Sequence, residues 1–300
     1  MSRFEVVGHT TDADWLERRK EGIGASEIGA VLGLSRWATA LDIYADKIDA
    51  PGRDEPGEAA EWGKLLEPVV LAEFGRRSGL SVEADGRLLR SVEHPWCLAT
   101  LDGLAAEGDQ LVPVEAKTAT VYLEDEWADG APECYRAQVN QQLLVTGAPH
   151  GYIACLLGGQ RLMWSKIERD ETLIRRIVNS GSKLWQQIRD RDPPPVTDAR
   201  DTHALKRLHP DDDGTATELP VDVGDLIEEL DGLRAEARDL KKRDGLLVAR
   251  IQQTLGSHSE GRCANGWGVT YRTQERDGHI VKPSKSRVLR IKKPRKSNAA

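Results

Sequence analysis

Apolar and polar positions along the chain alternate between helical and strand spacing, and the changes divide it. Residues 15–33 carry one or two helical turns around a glycine-rich joint, Gly22-Ile23-Gly24-Ala25-Ser26. Ser26 suits the N-cap of a short helix over 27–32, closed by Gly33. Thr39 leads into a second helix over 40–47, and 49–57 reads as a loop rich in Pro, Gly and charge. Residues 58–78 predict a helix stopped at Gly79, with Leu66, Val70 and Phe74 in an apolar stripe and an interruption at Pro68. Strand-type sequence follows over 82–92, 97–101 and 111–117, read as adjacent strands of a meander. Residues 133–146 predict a helix with Ala137, Leu144 and Val145 among its buried positions, stopped at Gly147. Strands are expected over 151–157 and 162–167. An amphipathic helix over 171–189 carries Leu173, Ile174, Ile177, Val178 and Trp185 on one side.

The run Asp192-Pro193-Pro194-Pro195 marks a boundary. A compact domain is expected over 1–191, a linker over 192–220 and a helical accessory region over 221–276. In that region Leu226, Leu230, Leu233, Ala237 and Leu240 step by four and three, about two to three heptads and marginal for an independent coiled coil. A hairpin is expected over 266–273. A basic tail over 277–300 is expected to be disordered in isolation. The fold class is α/β: a mixed central sheet flanked by helices, plus a smaller, mainly helical C-terminal region.

Composition narrows the function. Of 300 residues, 39% are hydrophobic and 30% charged, which suits a globular protein. No apolar run of about 18 residues occurs, so no membrane span is expected, and the N-terminal residues lack the apolar core of a signal peptide. Cys97, Cys134, Cys155 and Cys263 form no C-x-x-C pair, so neither a zinc site nor an iron–sulfur cluster is indicated, and a reduced cytosol is the simplest compartment. The net charge is −7, yet no acid follows Asp277, while eight Lys and Arg residues lie between Lys282 and Lys296. The body is thus more acidic than the total, which is compatible with binding divalent metal without being evidence for it.

The candidate chemistry lies in Leu101-Asp102-Gly103 and Val114-Glu115-Ala116-Lys117. Side chains alternate along a strand, so Glu115 and Lys117 share a face and Asp102, ending the strand before, can be brought beside Glu115. Two carboxylates suit magnesium or manganese, and a nearby lysine can orient water for phosphodiester hydrolysis. This pattern is common by chance, but apolar residues 111–114 put the pair at the end of a core strand. His94 and His150 have no carboxylate partner visible in sequence and read as ordinary hydrogen-bonded histidines. Most of the eight tryptophans read as core.

Four blocks, over roughly residues 14–172, make the pattern specific. They are Arg19-Lys20-Glu21-Gly22-Ile23-Gly24-Ala25-Ser26-Glu27-Ile28 with Leu32-Gly33-Leu34-Ser35-Arg36-Trp37; Glu61-Trp62-Gly63-Lys64-Leu65-Leu66-Glu67-Pro68; His94-Pro95-Trp96, Asp102-Gly103 and Glu115-Ala116-Lys117-Thr118; and Tyr135-Arg136-Ala137-Gln138-Val139-Asn140-Gln141-Gln142 with Val145-Thr146-Gly147 and 167–171. In this order they resemble the YqaJ viral recombinase, lambda-exonuclease-like, family of PD-(D/E)XK nucleases. The proline that names the superfamily is Leu101 here, at a position that carries no ligand.

The resemblance implies a restriction-endonuclease-like fold and a metal-dependent 5′→3′ exonuclease. Its substrate would be the ends of linear double-stranded DNA, degraded to single strand for phage-type recombination. Asp102, Glu115 and the Ala116 backbone carbonyl would bind Mg2+ (Mn2+ as substitute), with two ions expected, and Glu67 would contribute. Lys117 would position the attacking water, and Gln138 would lie beside it. Arg19 and Ser26 would hold the terminal 5′ phosphate, with Ser35 and Arg36 as weaker DNA contacts. The alternative for Glu67 is a solvated helix carboxylate, which its Gly-x-x-x-Glu-Pro context disfavours; Gln138 is equally a surface amide; and without the resemblance Arg19 reads as a solvated charge and Ser26 as a plain N-cap. The resemblance further implies a homo-oligomer, such as a trimeric ring, a single-strand annealing partner and a cytoplasmic setting. The alternatives are an endonuclease or nickase of the same superfamily, or a non-catalytic DNA-binding protein with this fold.

Overall fold

The computed structural model describes residues 3–8, 11–52 and 57–275. The tail expected from residue 277 lies outside them. Along the chain run β1 (Phe4–Val7), α1 (Asp12–Lys20), β2 (Ile23–Gly24), α2 (Ile28–Val31), α3 (Ala40–Lys47), α4 (Glu58–Ser78), β3 (Ser81–Ala84), β4 (Leu88–Ser91), β5 (Cys97–Thr100), β6 (Gly103–Glu107), β7 (Gln110–Ala119), α5 (Glu124–Trp127), α6 (Glu133–Thr146), β8 (His150–Leu157), β9 (Arg161–Glu168), α7 (Glu171–Asp190), α8 (Asp201–Leu208), α9 (Val221–Leu255), β10 (Glu260–Arg262) and β11 (Gly268–Thr270). Local chemistry sets their bounds. Thr39 and Asp42 cap α3 reciprocally, and Asp170 caps α7 by accepting the Thr172 and Leu173 N–H groups. Gly79 and Gly147 close α4 and α6 in the left-handed region.

Several sequence expectations are corrected. α4 runs through Pro68 without interruption. Pro68 and Lys64 lie on its exposed side, where the carbonyl that loses its partner can turn to water. Ser26 is not an N-cap: it lies inside a 3-10 turn, Ala25–Glu27, whose cap is Gly24, because the Glu27 carboxylate already accepts the Gly24 N–H at 2.7 Å. The expected meander is split, since β5 and β7 belong to different sheets and β7 pairs with β6 and β8 instead. A hairpin is present, but it spans 260–270 rather than 266–273: β10 (Glu260–Arg262) precedes the expected range and pairs with β11 (Gly268–Thr270).

Two sheets build the first unit, Met1–Pro210. One has the order β1-β4-β5-β2, antiparallel except for the β2–β5 pair. The other has the order β3-β6-β7-β8-β9, with β7 and β8 parallel and the rest antiparallel. β8 is buried almost throughout, as its apolar sequence on both faces requires. Helix α6 lies between the two cores: Ala137 and Val145 pack into one cluster with Ile23, Leu101 and Ile177, while Val139 and Leu143 pack into the other with Phe74, Val114 and Ile153. The unit extends past the boundary expected at residue 191. Within 192–220, α8 buries Ala204 in the first core, and Arg207 donates to the Ala50 and Pro51 carbonyls at 3.2 Å.

The second unit, Asp211–Ala300, contributes among its described residues the 35-residue α9 and the β10–β11 hairpin. Among the described residues no helix is long and apolar enough to cross a membrane.

Candidate active site

The chain leaves the first sheet at Thr100 and enters the second at Gly103, and Asp102 sits in that crossing. Leu101 is buried and anchors it. The Asp85 and Gly86 N–H groups donate to the Asp102 and Leu101 carbonyls at 3.1 and 2.8 Å, which fixes the backbone. The Asp102 side chain in turn accepts the Ala116 N–H at 2.8 Å, binding the crossing to β7.

Glu115 is 1% exposed, although a carboxylate pays heavily for burial without partners. Its Oε1 accepts hydrogen bonds from Lys117 Nζ and Gln138 Nε2, and its Oε2 accepts one from Gln142 Nε2 at 2.6 Å. Gln142 also donates to the Thr100 carbonyl at 3.3 Å, and Gln141 donates to the Ile23 and Leu98 carbonyls at 2.8 and 2.9 Å. Three amides on α6 therefore bracket the carboxylate and the strand ends around it.

A cleft of about 700 Å3 opens over this point. Its lining includes Arg19, Ser26, Glu67, Asp102, Glu115, Lys117 and Gln138. Burial pushes the Asp102 carboxyl up to about 8, Glu115 and Glu67 push the same way, and Lys117 and the Ala116 N–H offset this in part. Burial also raises Glu67, and Glu115 adds to it. Burial opposes the Lys117 charge, but Glu115 and Asp102 outweigh it and hold the ammonium above the ordinary lysine range.

Mutually repelling carboxylates beside one lysine are a site that a divalent cation would relieve. Among the described residues no three Asp, Glu, His or Cys close on a single metal position. The donors instead fit a cation such as Mg2+, which is held by one or two carboxylates and completes its shell with water and phosphate oxygens.

Elsewhere in the cleft lining, Arg19 lies 4.8 Å over the Trp15 ring and donates to Ser26 Oγ at 3.0 Å. Glu27 stands behind it, 3.6 Å from Arg19 and 2.8 Å from the nearly buried Lys47. Burial works against the Glu27 charge, but Lys47 and Arg19 together hold the carboxyl below its usual range. Lys47 also donates to the Arg19 carbonyl at 2.7 Å.

Ser35 and Arg36 are not brought to this cleft. Ser35 Oγ accepts the Trp37 and Ala38 N–H groups. Arg36 pairs with Glu126 at 2.7 Å, stacks 4.6 Å over Trp37, and faces a separate cleft of about 260 Å3. His150 does have a carboxylate partner, Glu107 at 3.0 Å, reached across the sheet rather than along the sequence, but it does not line the cleft. Sequence reasoning assigned no role to Gln141, Gln142 or Lys47. Their signal is polar residues at positions where α6 and α3 otherwise bury apolar ones.

Comparison with known proteins agrees with this architecture. The YqaJ-like viral recombinase domain family matches residues 14–149. A curated relative, the uncharacterized protein YqaJ of Bacillus subtilis (strain 168), is 32% identical over 273 residues, covering 88% of this chain and 85% of the relative. Among solved structures, an alkaline exonuclease (LHK-Exo) from Laribacter hongkongensis is similar, at 21% identity and TM-score 0.49, covering 60% of this chain and 94% of that one. LHK-Exo in complex with dAMP matches at 20% identity and TM-score 0.50, over 65% of this chain and 97% of that one.

Proposed function

From the premise that this chain belongs to the YqaJ-like viral recombinase family, whose structural neighbours are lambda-exonuclease-like PD-(D/E)XK nucleases, we propose that it is a metal-dependent 5′→3′ exonuclease acting on linear double-stranded DNA. One observation carries this reading: a single cleft is lined both by Asp102, Glu115 and Lys117 and by Arg19 and Ser26. An arginine fork and a hydroxyl suit a terminal phosphate. The acidic residues suit a scissile phosphodiester approached through divalent metal.

Asp102 and Glu115 would hold Mg2+, with Glu67 and the Ala116 carbonyl as further oxygen donors; manganese would substitute. When bound, the metal would neutralise phosphate charge and lower the pKa of a water. Lys117 would orient that water and stabilise charge as it develops on the phosphate. Gln138 and Gln142 hold Glu115 in place, so the carboxylate need not reorganise during reaction. Arg19, set by Ser26 and Glu27, would grip the 5′ phosphate and register the strand. A fold relative is described in complex with dAMP, a nucleoside monophosphate of the product class such an enzyme would release. The biological role would be to supply single strand to an annealing protein in the cytosol.

The test is digestion of linear duplex labelled at either end, with 5′-phosphate or 5′-hydroxyl termini, beside Asp102→Ala. Metal-dependent loss of nucleotides from phosphorylated 5′ ends, absent in the variant, is expected. Cutting of covalently closed circles would instead assign an endonuclease. DNA binding without degradation in either metal would assign a non-catalytic relative.

A further inference from the structure

Helix α9 presents a column of leucines along its length. Leu226, Leu233, Leu240 and Leu247 stand seven residues apart, and each is more than half exposed. Val223, Leu230, Ala237, Asp244 and Ile251 stand four residues after or three before them and complete a heptad seam. The buried residue of the helix, Leu255, lies at its end against Gly261 of the hairpin, beyond the seam. The helix spans about 52 Å at the usual rise and carries the seam over more than four heptads. Gly224, Gly232 and Gly245 fall outside both columns. Glycines weaken a helix standing alone, so a partner that buries the seam is what keeps such a helix formed.

We propose that α9 pairs with α9 of a second copy of this chain as a parallel, two-stranded coiled coil. The flanking charges are self-complementary in that arrangement. Glu229 faces Arg234 of the second copy and Glu236 faces its Lys241, because each acid precedes one column and each base follows the other. An antiparallel pair with the leucines fully overlapped sets Arg234 against Lys241; it also pairs Glu229 with Arg250 and Glu236 with Arg243, so what the parallel pair gains is freedom from that one repulsion. Leucine at four successive positions of one column is also the pattern of two-stranded parallel coils. Ala237 and Asp244 weaken the seam, so the association depends on concentration. This pairing does not depend on the nuclease reading.

The experiment uses the full chain in a Cys263→Ser background, whose own oxidation products set the baseline. Leu226→Cys and Leu247→Cys are introduced separately and oxidised. A parallel pair in register gives covalent dimers with both, whereas an antiparallel pair brings at most one of them against itself. Asp244→Leu should tighten self-association at least tenfold in sedimentation equilibrium, a gain that misfolding cannot imitate. Glu229→Lys with Glu236→Lys should weaken it, and mixing with an Arg234→Glu, Lys241→Glu chain should restore pairing. Cross-linking at one position or neither, or no tightening by Asp244→Leu, would overturn the proposal.

Discussion

The backbone N–H of Ala116 donates to the Asp102 carboxylate at 2.8 Å, joining two residues fourteen positions apart where one sheet hands the chain to the other. Asp102 is thus both a structural acceptor and one of the acidic groups lining the cleft. Asp102→Asn keeps an acceptor oxygen for Ala116 and removes the charge. It should stay folded by circular dichroism and lose roughly 100-fold or more of its nuclease rate, the scale of several kcal/mol of metal-assisted charge stabilisation.

Metal affinity should rise with pH. With its carboxyl pushed up to about 8, Asp102 holds a proton at neutral pH that a cation must displace. A raised carboxyl contributes stability that is fully present below the ordinary value near about 4 and lost as pH rises through about 8. The metal-free chain should therefore lose stability across that window, and Mg2+ should restore it. Calorimetry at pH 6 and pH 8 should show weaker binding and more proton release at the lower pH, with both differences reduced in Asp102→Asn.

Gln142→Ala leaves the buried Oε2 of Glu115 without its donor. Loss of a partner to a buried acceptor costs about 1–3 kcal/mol, read by urea unfolding. Nuclease rate should fall with it. Gln142→Glu, which sets a second carboxylate against Glu115, should be the worse variant on both measures.

Lys47→Met removes the cation that neutralises Glu27 beside Arg19. Breaking a buried ion pair from one side costs roughly 3–5 kcal/mol. The double variant Lys47→Met, Glu27→Gln should recover most of that stability. It should still discriminate poorly between 5′-phosphate and 5′-hydroxyl ends, because Arg19 loses its backing.

Gly181 of α7 lies so close to the Trp96 ring that an added Cβ would overlap it. Gly181→Ala should destabilise the first unit by about 1–3 kcal/mol through overpacking. A thermal scan reads this, and a smaller residue at Trp96 should partly relieve it.

Much of this arrangement is legible in the sequence, and the exceptions have physical reasons. The bounds of α3, α6 and α7 follow from Thr39, Gly147 and Asp170, each a local signal. The Asp102, Glu115 and Lys117 group can be placed from strand alternation once the flanking apolar run is seen. The split of the meander is not local: residues 97–100 and 110–119 both read as strands, and only the long-range pairing of β5 with β2 and β4 separates them. Lys47 closes on Glu27 across twenty positions, and His150 on Glu107 across forty-three, distances over which no spacing rule operates. α8 is short and polar, so its docking through Arg207 onto the 50–51 carbonyls leaves little trace in a hydrophobic pattern.

The order of synthesis gives the α6 bracket a further meaning. Asp102 and Glu115 leave the ribosome before the glutamines that secure them, and those glutamines can seat only when both sheets are present to receive them. A nascent or half-folded chain carries the acidic residues without the frame that aligns them. Whatever reaction the cleft performs is therefore expected to begin only once the fold is complete.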